Sequence, residues 1–367
     1  MLYPLSYEGV GQGYMPGPAI YRRSRASACL IPASWCLLRR MKVSQSVRAI
    51  QVPDENPMHP DFTSIYLIGP AGGQSLTIDS GEAIDRYRWM LRGYLAATEH
   101  AEIGIAAITH HHSDHSGNLK WAREMLKAEI AIPSNGAPLL KGKLPKDGVV
   151  KLNDNQTIDL GAGVKVRVIV TPGHSVDSLC YYLEDEGVLF SGDTLLGSST
   201  TTVGDLAAYR RTLKLLLTLP NLKVICPGHG PLVHDPRERL QSYIDHRDLR
   251  ERQIVGVLEG GGAISSWDIM LQLYPAIDKR LHRAADNNVR SHLTQLEHEG
   301  RLKVYAGKPR KQKSAAKAQR DIEHVRRRDV VIRQAKRFEA EQRRTEIRAQ
   351  ENPPSAEWVE PPRYELA

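Results

Sequence analysis

Thr109-His110-His111-His112-Ser113-Asp114-His115 sets four ligand-type side chains, His110, His112, Asp114 and His115, into one short run. Three solitary ones answer it further along the chain: His174 in Thr-Pro-Gly-His, Asp193 in Ser-Gly-Asp-Thr and His229 in Pro-Gly-His-Gly. Imidazole and carboxylate groups suit zinc-like divalent ions, and seven of them at strand-to-loop junctions are what two adjacent metals need. The pattern points to a hydrolase.

The spacing suggests how the ligands divide. His110 and His112 are two residues apart, so on an extended strand end they face the same way, and His174 can join them in a three-nitrogen site. Asp114, His115 and His229 can form the second site. Asp193 is the remaining carboxylate and can bridge both ions. Two divalent cations, with Zn2+ the favoured identity, would sit about 3.5–4 Å apart and supply a hydroxide near neutral pH. That hydroxide, rather than a side chain, is then the nucleophile, and the catalytic residues are Asp193 as bridge and Asp114 as a ligand that also orients it. His111 points the other way along the run and is read as a supporting or surface residue. Asp79, at the end of a neighbouring strand, is read as a hydrogen-bonding support and not as a ligand. The Pro-Gly before His174 and before His229 lets the backbone come close to an ion.

Composition narrows the class. The chain has 367 residues, 41% of them hydrophobic, enough for two domains of ordinary size with real cores. No run of 18 apolar residues occurs, so no membrane partner is expected. Cys29, Cys36, Cys180 and Cys226 show neither metal spacing nor a small secreted framework, which points to a reducing compartment, the cytoplasm. The net charge of +8 is uneven: residues 307–350 hold 15 Lys/Arg against 6 Asp/Glu, whereas residues 41–306 hold 29 against 31. The basic character belongs to the tail and not to the catalytic region.

Residues 1–44 form an N-terminal extension outside the fold. Its arginines, Arg22, Arg23, Arg25, Arg39 and Arg40, face only Glu8 as an acid through position 40. It reads as a disordered extension, as a presequence that would direct the chain to the mitochondrial matrix, or as an upstream artefact with Met41 the true start.

From 45 to 235 the pattern is that of a catalytic domain. β-rich runs at 47–52, 64–68 and 76–78 lead to a helical stretch near 82–98, a buried strand at 103–108, the histidine-rich run and a helix at 118–128. A second group of strands spans 148–152, 164–170, 178–184 and 187–190. Thr202-Val-Gly-Asp205 has capping-box spacing and opens a helix to about Leu219, and Lys223 to Cys226 is the strand before His229. Two β-rich halves with interleaved helices imply an α+β sandwich with helices outside and the site at one rim. Residues 236–306 read as a helical linker, 236–258, and a winged-helix-like domain. There Ser265 caps a short helix through Leu273, a helix carrying Val289, Leu293 and Leu296 ends at Gly300, and Leu302 to Tyr305 is a wing strand. Residues 307–367 read as a basic charged tail, helical to about 349 and then Pro-rich.

The histidine-rich run, the two Pro-Gly-His steps and Gly-Asp193 resemble the metallo-β-lactamase-fold hydrolase superfamily over about residues 45–235. The resemblance implies an αββα sandwich with a dinuclear site. Gly192-Asp-Thr-Leu-Leu-Gly197, Thr200-Thr-Thr202, Tyr243-Ile-Asp-His-Arg247 and Arg250-Glu-Arg-Gln-Ile254 look like a narrower branch, the β-lactamase-like protein 2 group, which includes endoribonucleases and polyketide-releasing thioesterases. The step of 36 positions from Asp193 to His229 leaves no room for the inserted domain of the RNA-processing β-CASP nucleases. Asp114-His115 departs from the true lactamases, where a cysteine ligand is expected, and His112 from the flavodiiron pattern.

The near-neutral catalytic region favours a small-molecule ester or thioester substrate, most plausibly an acyl thioester. The basic tail and winged-helix-like segment keep single-stranded RNA as an alternative partner, in an endoribonuclease. A catalytically inactive nucleic-acid-binding protein is the reading of another class. Oligomeric state is not legible in the pattern.

Overall fold

A computed structural model describes residues 42–53, 61–70, 73–97, 102–309 and 357–367. The expected N-terminal extension up to position 41, with Cys29 and Cys36, and the expected tail helix lie outside the described residues. Two compact units emerge. The first takes the described residues up to Val170 with Asp177–Thr200 and Pro220–Pro236, and the second takes Thr171–Val176, Thr201–Leu219 and the chain from Arg237 onward.

In the first unit six strands form one sheet in sequence order: β1 (Val47–Pro53), β2 (Phe62–Ile68), β3 (Gln74–Ile78), β4 (Glu102–Ala107), β5 (Glu129–Pro133) and β6 (Val149–Leu152). The first three pair antiparallel and the rest parallel. The second sheet runs in the order β11 (Val224–Pro227), β10 (Val188–Gly192), β9 (Leu179–Leu183), β8 (Lys165–Val170) and β7 (Thr157–Asp159). Strand alternation sorts the side chains. Tyr66, Ile68, Leu76 and Ile78 pack with Val166, Val168, Tyr181 and Phe190 in one core made by both sheets. Ile65, Leu67, Ile103, Ile130 and Ile132 turn to the other face, where they meet Tyr87 and Leu91 of helix α1 (Asp85–Ala97) and Leu119 and Ala122 of α3 (Leu119–Leu126). The short helix α2 (Ser113–Ser116) lies between them in sequence. Strands β5 and β7 go beyond the sequence expectation, being only five and three residues long.

The histidine-rich run leaves β4 under control of the neighbouring strand. Asp79, just past β3, adopts a left-handed backbone (φ 65°) and its amide donates to Ala107 O at 2.8 Å. Its buried carboxylate accepts from Thr109 N (2.8 Å) and Thr109 Oγ1 (3.0 Å) and lies 2.8 Å from His115 Nδ1, so one side chain ties both ends of the run.

In the second unit, α4 (Leu206–Leu217) is capped by Asp205, whose carboxylate accepts from Ala208 N at 2.8 Å. The expected capping box is corrected here: Thr202 is not the cap, and its carbonyl meets His174 instead. Helix α5 (Pro236–Leu258) covers the expected linker. Ser265 caps α6 (Ser266–Leu273) through Asp268 N, and α7 (His282–His298) is followed by Gly300 in a left-handed conformation (φ 71°). Trp267, Met270, Val289, Leu293 and Leu296 make the core of this winged-helix domain.

Its sheet holds β12 (Ile264–Ser265), β13 (Leu302–Tyr305) and, between them, β16 (Arg363–Leu366). A second pair joins β14 (Lys308–Pro309) to β15 (Trp358–Glu360). The end of the expected tail is thus part of the domain, because Tyr364 and Leu366 pack against its core. None of the described helices is long and apolar enough to cross a membrane.

Two outcomes test this architecture. Asp79→Ala should destabilise the metal-free chain by about 3–5 kcal/mol, from orphaned buried donors and a strained left-handed alanine, with Asp79→Asn losing roughly half as much; a urea-denaturation difference below about 1 kcal/mol would show the run does not depend on it. Removing residues 358–367 should cost the second unit about 2 kcal/mol, the burial of two partly covered side chains, and lower its melting temperature.

Candidate metal centre

Three strand ends of the first unit deliver the ligand-type residues. The run from Thr109 follows β4, Asp193 follows β10 and His229 follows β11. Glycine makes the convergence possible. A Cβ on Gly228 would lie 2.6 Å from His115 Cε1 and 2.7 Å from Asp193 Oδ1, and one on Gly192 (φ 49°) would lie 2.6 Å from Thr109 Cβ.

Ligand atoms of Asp114, His115, Asp193 and His229 lie within 4.8 Å of one another. His115 Nε2 is 3.3 Å from both Asp114 Oδ2 and Asp193 Oδ1, and His229 Nε2 is 3.1 Å and 3.4 Å from the same oxygens. His110 and His112 group with the same Asp193, and His110 Nε2 stands 2.8 Å from His112 Nδ1. Asp193 therefore belongs to both clusters.

The far side of each ring is held by the protein. Thr109 Oγ1 lies 3.0 Å from His110 Nδ1, Asp79 holds His115 Nδ1, and Thr63 Oγ1 lies 3.0 Å from His229 Nδ1. A carboxylate or hydroxyl behind an imidazole sets its tautomer and turns the other nitrogen toward the cluster. His174 sits on the Thr171–Val176 loop of the second unit, where Thr202 O is 2.8 Å and Thr201 Oγ1 is 3.0 Å from Nδ1.

The donor chemistry fits divalent cations. His115 Nε2 is buried without a well-formed hydrogen bond, beside two carboxylates that a cation would neutralise. Burial works against a charged His115, but the carboxylates of Asp79, Asp193 and Asp114 outweigh it and hold its pKa well above the ordinary 6.5. The imidazole thus keeps a proton that a metal would have to displace.

Other residues surround the run. His111 turns away from the cluster to Asp177, with Nδ1 2.8 Å from Oδ1. Lys143 Nζ donates to His111 O (2.8 Å) and Ser116 Oγ (3.0 Å); burial pulls its pKa down against the pull of Asp114 and Asp177. Lys143 and Thr63 escaped the sequence reading, since a lone lysine in a turn-rich stretch and a strand threonine carry no local signature. Asp79, expected to be a hydrogen-bonding support, lies against Thr109 and His115.

Comparison with known proteins gives the family of the chain. Residues 59–229 match the family model described as the metallo-beta-lactamase superfamily, and residues 265–310 match the beta-lactamase associated winged helix domain. The chain is 34% identical over 260 residues to a Caenorhabditis elegans protein named beta-lactamase-like protein 2 homolog, covering 70% of this chain and 85% of that one. An Aspergillus fumigatus protein named atrochrysone carboxyl ACP thioesterase is 34% identical over 217 residues, 58% of this chain and 66% of its own length. A solved β-lactamase domain protein from Burkholderia ambifaria shares the fold with a TM-score of 0.63 at 21% identity, covering 72% of this chain and 90% of that chain. The chain belongs to the metallo-β-lactamase superfamily, in the branch that joins this domain to an associated winged helix and includes relatives named beta-lactamase-like protein 2.

Proposed function

We propose that this chain is a metal-dependent hydrolase of acyl thioesters. The observation that carries the reading is the meeting of Asp114, His115 and His229 with Asp193, which is also shared with His110 and His112. His110, His112 and His174 would hold one ion, Asp114, His115 and His229 a second, and Asp193 both. Two divalent ions, with Zn2+ favoured, would acidify a water and polarise the carbonyl that it attacks. The residues supply the rest. Asp79, Thr109 and Thr63 fix the rings, Asp114 would orient the nucleophile as well as hold an ion, and buried surroundings strengthen each interaction.

A thioester is preferred because a relative of 34% identity bears a thioesterase name and the catalytic region has no excess of basic residues that would track a phosphate backbone. The cytoplasm is the proposed compartment. Single-stranded RNA is the competing substrate, and its main support, the basic stretch 310–350, lies outside the described residues.

Asp193→Ala or His112→Ala should lower turnover of an acyl-N-acetylcysteamine thioester by about 10³-fold or more, the loss of several kcal/mol of stabilisation. Wild-type rates in either folded variant would overturn the two-ion reading, as would full turnover by protein shown metal-free by elemental analysis. Cleavage of single-stranded RNA with no thioester turnover by the same metal-loaded sample would assign the competing substrate. Apparent affinity for Zn2+ should rise between pH 6 and pH 8, because the proton that Asp79, Asp193 and Asp114 hold on His115 competes with the ion below its raised pKa; a flat profile in competition titrations would contradict this.

A further inference from the structure

Helix α5 carries a fully covered arginine that the proposed chemistry does not use. Leu240, Tyr243, Arg247, Arg250 and Ile254 recur at helical spacing on its covered face, and Arg247 is only 1% exposed. Among the described residues no carboxylate forms an ion pair with it. The neighbouring cations have their own arrangements: Arg210 pairs with Asp248 and Glu251 at 2.9 Å each, and Arg250 lies over the Tyr274 ring at 4.3 Å. A guanidinium is costly to bury unpaired, so its contacts carry information.

Arg247 Nη2 donates to Thr201 O at 2.7 Å, and its guanidinium lies over the Tyr209 ring at 5.5 Å. Thr201 Oγ1 donates in turn to Thr202 O at 3.3 Å, and both of these oxygens face His174 Nδ1, at 3.0 Å and 2.8 Å. With a carbonyl as its nearest neighbour, Nδ1 must carry the hydrogen, which leaves Nε2 as the lone-pair nitrogen. The rest of the loop is pinned as firmly. Thr212 Oγ1 donates to Pro172 O at 2.8 Å, and Gly204 N and Asp205 N donate to Gly173 O at 2.8 Å and 3.0 Å. Gly173 (φ 143°) presses so close to Tyr209 that a Cβ there would lie 2.5 Å from Tyr209 Cα.

We propose that Arg247 is a positioning residue for His174: by holding the Thr201 carbonyl it fixes the backbone that leads into the Thr202 carbonyl, the acceptor of the Nδ1 hydrogen, and so presents Nε2 as a neutral donor for a divalent cation. The inference rests on the reading of His174 as a metal ligand. Charge-assisted bonds from arginine to an acceptor are strong and directional, which suits an anchor better than a neutral donor would. Two nearby imidazoles do not compete for the role. Burial first, and the Arg247 charge next, push His246 and His292 down to about 3, so both stay neutral at physiological pH.

The test measures Zn2+ affinity by chelator competition in the full chain, with circular dichroism of the metal-free protein as a folding control. Arg247→Met should leave one ion tightly held and weaken the other by about 10–100-fold, Arg247→Lys should fall between it and wild type, and His174→Ala should weaken the same ion. Adding Arg247→Met to His174→Ala should cause no further loss. Ring ¹⁵N shifts of His174 in the metal-free protein should report the Nδ1–H tautomer in wild type and a mixture in Arg247→Met, a change that mere loss of packing on α5 would not produce. A folded Arg247→Met with both affinities unchanged, while His174→Ala weakens one, overturns the role of Arg247. If His174→Ala also changes nothing, the ligand reading itself fails. Should Arg247→Met not fold, Arg247→Lys decides: weakening of one ion supports the role and unchanged affinities reject it.

Discussion

Two carboxylates, Asp114 and Asp193, are gathered among imidazoles at the ends of three strands, and most of the local structure of the first unit serves that meeting. Buried acids and imidazoles do not assemble without compensation. The compensation within the protein is visible in the raised affinity of His115 for its proton and in the contacts behind the rings. A divalent cation would satisfy the same charges more completely, which is why the arrangement reads as a metal centre.

Support for the centre is layered by element. Asp79 sits at the end of β3, in a left-handed conformation that lets its carboxylate turn back to Thr109 and His115. Thr63, near the start of β2, reaches the ring of His229. Gly228 and Gly192 are present because a side chain at either position would occupy space already taken by His115, Asp193 or Thr109. In the second unit the same logic recurs around His174, where carbonyl and hydroxyl oxygens replace the carboxylate behind the ring.

Much of this was legible in the residues because ligand chemistry is local. A histidine-rich turn after an apolar strand and Pro-Gly-His after another announce themselves without knowledge of the fold. The misreadings share a physical cause. Thr202 and Asp205 have capping-box spacing, yet the Thr202 carbonyl goes to His174 and Asp205 caps the helix itself, a choice made by packing and not by propensity. Arg363-Tyr-Glu-Leu366 alternates at period two, but two prolines before it favour a loop reading; it becomes a strand because β12 and β13 offer an open sheet between them. Glu129-Ile-Ala-Ile-Pro133 is too short and too apolar to identify itself as a strand, and is one because β4 and β6 flank it.

Residue type and order along the chain establish which chemical groups are available and which strand ends carry them, because donor type and alternation are properties of neighbouring residues. Tertiary structure alone decided that Asp193 lies beside both histidine groups, that Lys143 braces the run from His111 to Ser116, and that Arg247 reaches Thr201. Those relations join residues tens of positions or more apart, and their distances depend on sheet pairing and helix packing, which no short window of sequence encodes.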